Sequence, residues 1–265
     1  MSPKPLLAIS VETVTACNLR CTYCPNSRSD RGSIQNLKWM DSALFIKLID
    51  DLAELHFAGA LLPHFYGEPL LDDRLPDLLT YARRRLPAVL ITLFTNGTLL
   101  TPQRYTDLVK AGVNSFVITE HRPIPLKEEI VARHLQVGNR GVQLKFLPKK
   151  INEPIFNRCG IIELERVTDE KRTCEDPSCF IPIDWQGNVL LCCNDYFSEF
   201  QLGNIRNEKI QAIWNKPYNK KIRDTLKTDT SKSALCRRCK IGIFKKPNAS
   251  PTQANAPEIA AVVAG

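Results

Sequence analysis

Three cysteines, Cys17, Cys21 and Cys24, are spaced C-x-x-x-C-x-x-C on one short stretch that directly follows an apolar, β-branched run. Thiolates are the usual protein ligands of iron-sulfur clusters. Three on one loop can hold three irons of a [4Fe-4S] cube and leave the fourth iron without a protein ligand, open to a small molecule. The other readings are a zinc site, a disulfide or buried apolar thiols. Zinc sites usually repeat a C-x-x-C knuckle and close with four ligands, and no histidine lies near this loop in sequence.

A second set of thiols lies far along the chain: Cys174, Cys192 and the pair Cys236-Arg237-Arg238-Cys239. They are separated by a hairpin-like run from Phe180 to Cys192 that turns at Gln186-Gly187-Asn188, by Leu202-Gly203-Asn204-Ile205, and by a helix carrying Ile210, Ile213 and Trp214. Folded back on one another, these segments can bring the four thiols together. A second iron-sulfur cluster and a zinc ribbon both fit that set, but only the cluster can accept an electron. Cys159, Cys179 and Cys193 stand outside both sets.

The elements that must position these groups alternate. Residues 6–14 read as a strand that delivers the first cysteine loop. Met40 to Leu55 then reads as a helix with Asp41 or Ser42 as cap, and Ala60 to Tyr66 as a strand. Arg74 to Leu86 follows as a helix, Ala88 to Phe94 as a strand, and Thr101-Pro102 opens a helix that stops at Gly112. Asn114 to Thr119 is a strand, Glu128 to Val137 a helix and Val142 to Leu147 a fifth strand. Short connections between alternating strands and helices predict a parallel sheet covered by helices, here a partial (β/α) barrel with its site at the C-terminal ends of the strands. The expected division is a barrel over 1–150, a small cysteine-bearing domain over 151–244 and an unstructured tail over 245–265, rich in Lys, Pro, Ala and Asn.

The chain has 265 residues, 43% of them hydrophobic, which is enough for a substantial core, and ten cysteines. Its N-terminus lacks the apolar stretch of a signal peptide and no run is long enough to span a bilayer, so a cytoplasmic protein with no membrane partner is expected. Thiols stay reduced in that compartment, which favours metal or redox chemistry over disulfides. The net charge of +8 divides as +5 over residues 1–150 and +3 over the remainder. The basic excess after Gln201 reads as solvated helix faces, and without a nucleic-acid-binding signature no such partner is expected.

The first cysteine loop, including the aromatic Tyr23 before its last cysteine, resembles the cluster loop of radical S-adenosylmethionine (SAM) enzymes. In that family SAM chelates the open iron and is cleaved to a 5′-deoxyadenosyl radical that removes hydrogen from a substrate. The resemblance continues in Tyr66-Gly67-Glu68-Pro69, which stands where the family commonly carries Gly-Gly-Glu-Pro, and in Thr95-Asn96-Gly97. It implies SAM contacts from Tyr23, Tyr66, Gly67, Glu68, Pro69, Thr95 and Asn96. Thr119, closing the fourth strand beside His121, can face the same cavity. Tyr66 in place of glycine puts the local turn in question, because tyrosine tolerates positive φ poorly. The distal half resembles the twitch form of the SPASM extension, which carries one auxiliary cluster. The expected cofactors are therefore two [4Fe-4S] clusters and SAM, with a flavodoxin- or ferredoxin-type electron donor.

Within the family the likeness is to members that oxidise aminocyclitols. It is carried by Cys24-Pro25-Asn26-Ser27, Phe57-Ala58-Gly59, His64 to Leu71 and Asn157-Arg158. By that likeness Arg158 lies against the substrate as a candidate proton acceptor, although an arginine is ordinarily a salt-bridge residue. The expected activity is oxidation of a secondary alcohol of an aminocyclitol, sugar or aminoglycoside. The alternative is epimerisation of a carbohydrate or a peptide residue with Cys193 or Cys159 returning a hydrogen atom, since Cys193 replaces a phenylalanine of the oxidising members. A non-catalytic metal-binding module is the remaining alternative.

Overall fold

The computed structural model describes residues 6–137, 141–149, 153–169 and 173–245. Strand β1 (Ala8–Val11) is short and almost wholly buried. Helix α1 (Ser42–Glu54) is capped by Asp41, whose side chain accepts from Ala43 N, and it lays Leu44, Phe45, Leu48, Ile49 and Leu52 into the core. The 3.6-residue period of these apolar positions is what seats the helix on the sheet. Next come β2 (Ala60–Leu62), α2 (Leu75–Arg85) and β3 (Leu90–Thr95). Thr101 then caps α3 (Pro102–Lys110) by accepting from Arg104 N, with proline in the first turn as the sequence predicts. The unit is completed by β4 (Ser115–Glu120), α4 (Lys127–Gln136) and β5 (Gln143–Pro148). Strands β1 to β5 pair in parallel, each with the next.

The remaining elements are β6 (Ile155–Phe156), β7 (Leu164–Asp169), β8 (Phe180–Ile183), β9 (Asn188–Leu190), β10 (Gln201–Asn204), α5 (Ile210–Asn215), α6 (Pro217–Leu226), α7 (Ala234–Arg237) and β11 (Ile241–Phe244). The predicted hairpin is β8 and β9, turned at Gly187 with a φ of 86°. It does not stand apart: β8 pairs in parallel with β1, giving one sheet in the order β10-β9-β8-β1-β2-β3-β4-β5. A second sheet, β6-β11-β7, is antiparallel. The N-terminal run predicted as a strand over 6–14 is shorter than expected. Beyond Val11 the ladder runs out: Glu12 N still donates to Ile183 O at the end of β8, and Val14 then bridges Trp39. Residues 246–265 of the expected tail lie outside the described residues. Among the described residues no helix is long and apolar enough to cross a membrane.

Candidate active site

The first cysteine loop leaves the C-terminal end of β1 and is pinned from both sides. Cys17 N donates to Gly32 O at 3.1 Å and Cys24 N to Cys21 O at 2.8 Å. Behind the loop the buried Asn26 donates to Tyr66 O at 2.8 Å and accepts from the Tyr196 hydroxyl at 3.0 Å. Arg31 reaches the wholly buried Glu12 at 2.6 Å. Burial raises the Glu12 pKa, with Arg31 opposing it, so this ion pair ties the loop's far end to the sheet where an unpaired carboxylate would be costly.

Cys17, Cys21, Cys24 and Tyr23 open onto a cavity of about 440 Å³ together with Tyr66, Gly67, Glu68, Thr95, Asn96, Thr119, His121, Arg158 and Cys193. Pro69 is buried behind Glu68, where it opens a short 3-10 turn. The Glu68 carboxylate accepts from Thr95 Oγ1 at 2.5 Å, Asn96 N at 2.9 Å and Leu70 N at 3.1 Å. Burial raises its pKa, and those donors work against the rise. Asn96 in turn donates to Asn18 Oδ1 at 2.9 Å, joining the Gly-Glu-Pro and Thr-Asn-Gly elements to the cysteine loop. The Tyr23 hydroxyl is hydrogen-bonded to His121 Nδ1.

The turn at Tyr66 is unstrained, because neither Tyr66 nor Gly67 takes a positive φ. Glycine is needed at 67 for space: a Cβ there would stand 1.9 Å from Val14 O, while Glu68 N donates to Ala16 O at 2.8 Å. Gly67→Ala is therefore expected to cost about 1–3 kcal/mol of stability through overpacking. Denaturant unfolding measures it, and an unchanged midpoint would contradict the requirement.

Cys174, Cys192, Cys236 and Cys239 line a second cavity, as their spacing predicts. Ser233 accepts from Cys236 N at 3.4 Å at the start of α7, and Cys174 N donates to Leu226 O at 2.8 Å at the end of α6. The thiols ring this space without converging on a point. Among the described residues no three His, Cys, Asp or Glu side chains are close enough to share a single ion. Four thiols around a common space can hold a cluster bridged by its own sulfides. Three thiols on the other loop suit a cube with one open iron.

Two pairs of adjacent residues form the wall between the cavities. Cys192 faces the second cavity and Cys193 the first; Arg158 faces the first and Cys159 the second. Under the alternative of epimerisation the sequence offered Cys159, alongside Cys193, as a hydrogen donor; the structure places Cys159 among the distal thiols and Cys193 at the first cavity. Arg158, Cys159 and Gly160 have φ values of 50°, 54° and 97°, three successive left-handed residues that turn neighbouring side chains to opposite sides. For the two that are not glycine this conformation costs about 1–3 kcal/mol each. Asn157 holds the turn, donating to Arg238 O and accepting from Lys240 N, both at 2.9 Å. Arg158 donates to Asn194 Oδ1 at 2.7 Å, and the Tyr66 hydroxyl donates to Cys193 O at 2.7 Å. Burial works against the Arg158 charge, but Tyr66, Cys193, Cys24 and Cys192 around it leave its pKa raised, so it acts as a cationic donor.

Sequence reasoning gave no role to His64, which lines the first cavity and stacks on Phe94 with ring centroids 4.8 Å apart. Its Nδ1 is sealed from solvent and has no hydrogen-bond partner among the described residues. Burial pushes its pKa down to about 4, so the imidazole is neutral at neutral pH. The available signal was a polar side chain inside the run read as a strand from Ala60 to Tyr66, which the structure ends at Leu62.

The radical SAM superfamily profile matches residues 11–119, and that of an iron-sulfur cluster-binding domain, SPASM, matches residues 174–240. The chain is 33% identical over 233 residues to the S-adenosyl-L-methionine-dependent 2-deoxy-scyllo-inosamine dehydrogenase of Niallia circulans, covering 87% of this chain and 91% of that one. It is 35% identical over 123 residues to the GTP 3′,8-cyclase of Synechococcus sp. (strain CC9902), covering 44% of this chain and 32% of that one. Among solved structures, BtrN in complex with AdoMet and 2-DOIA matches with a TM-score of 0.77 and 30% identity, over 89% of this chain and 93% of that one. With its open three-cysteine loop, its ring of distal thiols and these matches, the chain belongs to the radical SAM superfamily, and its cofactors are [4Fe-4S] clusters and SAM.

Proposed function

We propose that this protein oxidises a secondary alcohol of an aminocyclitol or a related small carbohydrate to a ketone. The observation that carries the reading is the shared wall: Arg158 and Cys193 border the first cavity, and the next residue in each case borders the second. When bound, the loop cluster and SAM supply a 5′-deoxyadenosyl radical, and the distal cluster supplies a one-electron acceptor. Around them the chain's own residues orient and exclude. Glu68, fixed by three donors, presents its remaining lone pairs to the SAM amino group; Tyr23, Thr95, Asn96 and Thr119 complete the SAM wall. The Arg158 guanidinium donates to the substrate hydroxyl and holds its carbon near the radical source; once the carbon has given up its hydrogen atom and the remaining electron, the hydroxyl proton leaves to solvent, while the neutral His64 imidazole is available to the remaining polar groups of the ring. Electrons enter from a flavodoxin- or ferredoxin-type donor, and the reducing cytoplasm suits ten cysteines with no disulfide among them.

Anaerobic turnover with 2-deoxy-scyllo-inosamine, followed by a panel of aminocyclitols, aminoglycosides and peptides, tests the reading. The expected product is about two mass units lighter than the substrate, with one deoxyadenosine formed per ketone. Absence of any such product across the panel would overturn it.

A second reading, epimerisation, is favoured by one observation: the Cys193 thiol lines the substrate cavity. Cys192 and Arg158 beside it hold its pKa below the usual thiol range, against burial, and a lowered pKa works against an S–H donor. Under the oxidative reading Cys193→Ala and Cys159→Ala both leave the product mass unchanged, and no solvent deuterium enters it. A mass-conserved product that gains one deuterium in deuterated water and is lost in Cys193→Ala would establish epimerisation instead.

A further inference from the structure

The distal cavity holds five thiols, one more than a cube has irons to ligate through the Cys174, Cys192, Cys236 and Cys239 set. The fifth, Cys159, is 5% exposed. It does not arrive there as an ordinary core residue: it sits on a left-handed backbone that non-glycine residues avoid, in a turn locked by Asn157 to the segment carrying Cys239. Its thiol borders the same space as the Cys239 thiol, whose two chain neighbours, Arg238 and Lys240, are the residues Asn157 holds, which puts a hydrogen bond between the two thiols within reach. A thiol has one proton to give, and a metal-bound thiolate is an acceptor with none, so the bond's direction is fixed once Cys239 is a ligand.

We infer that Cys159 is a positioning residue for the auxiliary cluster, its S–H donating to the Cys239 sulfur and raising the cluster's reduction potential. Reduction adds negative charge to the cluster, and a donor aimed at one of its sulfurs stabilises that charge more than it stabilises the oxidised form. Hydrogen bonds to cluster sulfurs are among the recognised determinants of potential, along with net charge and exposure. No proton or heavy atom is transferred in this role. The consequence is directional: an acceptor at higher potential takes the electron from a substrate radical more readily. Because Arg158 precedes Cys159 in the same turn, the residue that contacts substrate and the one that tunes the acceptor are placed by one backbone constraint.

This role rests on the cluster assignment of the distal cavity and is measured without turnover, so it can fail while the oxidative reading stands, or stand if that reading fails. The test is a potentiometric titration, followed by electron paramagnetic resonance, of the full chain carrying Cys17→Ala, Cys21→Ala and Cys24→Ala. This background leaves only the auxiliary cluster. Adding Cys159→Ala is expected to lower the midpoint potential by at least a tenfold change in the reduction equilibrium, about 59 mV for one electron, with iron unchanged at about four per chain. Cys159→Ser, which keeps an O–H donor in the same place, should recover part of the shift and serves also if the alanine variant folds poorly. An alanine variant with full iron and the parent potential overturns the role. Loss of iron in both variants also overturns it, because Cys159 would then be a ligand.

Discussion

Replacing Cys17, Cys21 and Cys24 together with alanine is expected to abolish 5′-deoxyadenosine formation and to leave about four irons per chain in the distal cavity. The two effects separate because the two thiol sets are held by different elements. The loop thiols are placed by the end of β1 and the Asn26 and Arg31 anchors; the distal set depends on the ends of α6 and β9 and on α7. The anchors do not need the thiols: Asn26, Tyr196, Glu12 and Arg31 keep their bonds in the variant, so the loop loses its ligands without losing its fold. Iron and sulfide analysis after anaerobic reconstitution, with chromatography for deoxyadenosine, measures both effects. Undiminished SAM cleavage in the triple variant would remove the assignment of the loop.

Most of the site was legible because its chemistry is local in sequence. The C-x-x-x-C-x-x-C loop and Gly67-Glu68-Pro69 follow strands and Thr95-Asn96 closes one, and alternation placed those ends at one mouth; the structure lines a single cavity with Cys17, Glu68 and Asn96. What sequence could not give was the side of a wall. Cys159 and Arg158 are neighbours, and only a run of left-handed backbone, which no composition rule predicts for Arg-Cys, sends them to different cavities. The pairing of β8 with β1 was hidden for a related reason. Its partners are far apart in sequence, and Phe180 to Ile183 reads equally well as the first arm of an isolated hairpin. Strands β7 and β11 carry no clean alternation, and each gains its identity from the other. His64 went unassigned because a lone histidine at a strand end has no spacing to mark it. Its sealed, unpartnered nitrogen is a property of the packed protein.

Removing the distal thiols should produce the complementary loss. In a Cys236→Ala, Cys239→Ala variant, iron is expected to fall from about eight to about four per chain. Deoxyadenosine should still form with substrate present, and ketone should fall to near background. The hydrogen atom is taken in the first cavity, where Arg158 and Glu68 are untouched, so deuterium on the reacting carbon should still pass into deoxyadenosine. What is lost is the destination of the remaining electron, and the ratio of ketone to deoxyadenosine reports that step alone. Stability should fall as well. Cys239 leads within two residues into β11, the central strand of the three-stranded sheet, and cluster binding is coupled to folding wherever the ligands are separated in an unfolded chain. The thermal midpoint of the reconstituted variant should therefore lie below that of the wild type, while the triple-alanine loop variant stays closer to it. A wild-type protein that never exceeds about four irons, with zinc making up the balance, or a Cys236/Cys239 variant that still forms ketone in step with deoxyadenosine, would overturn the electron-acceptor role of the distal cavity.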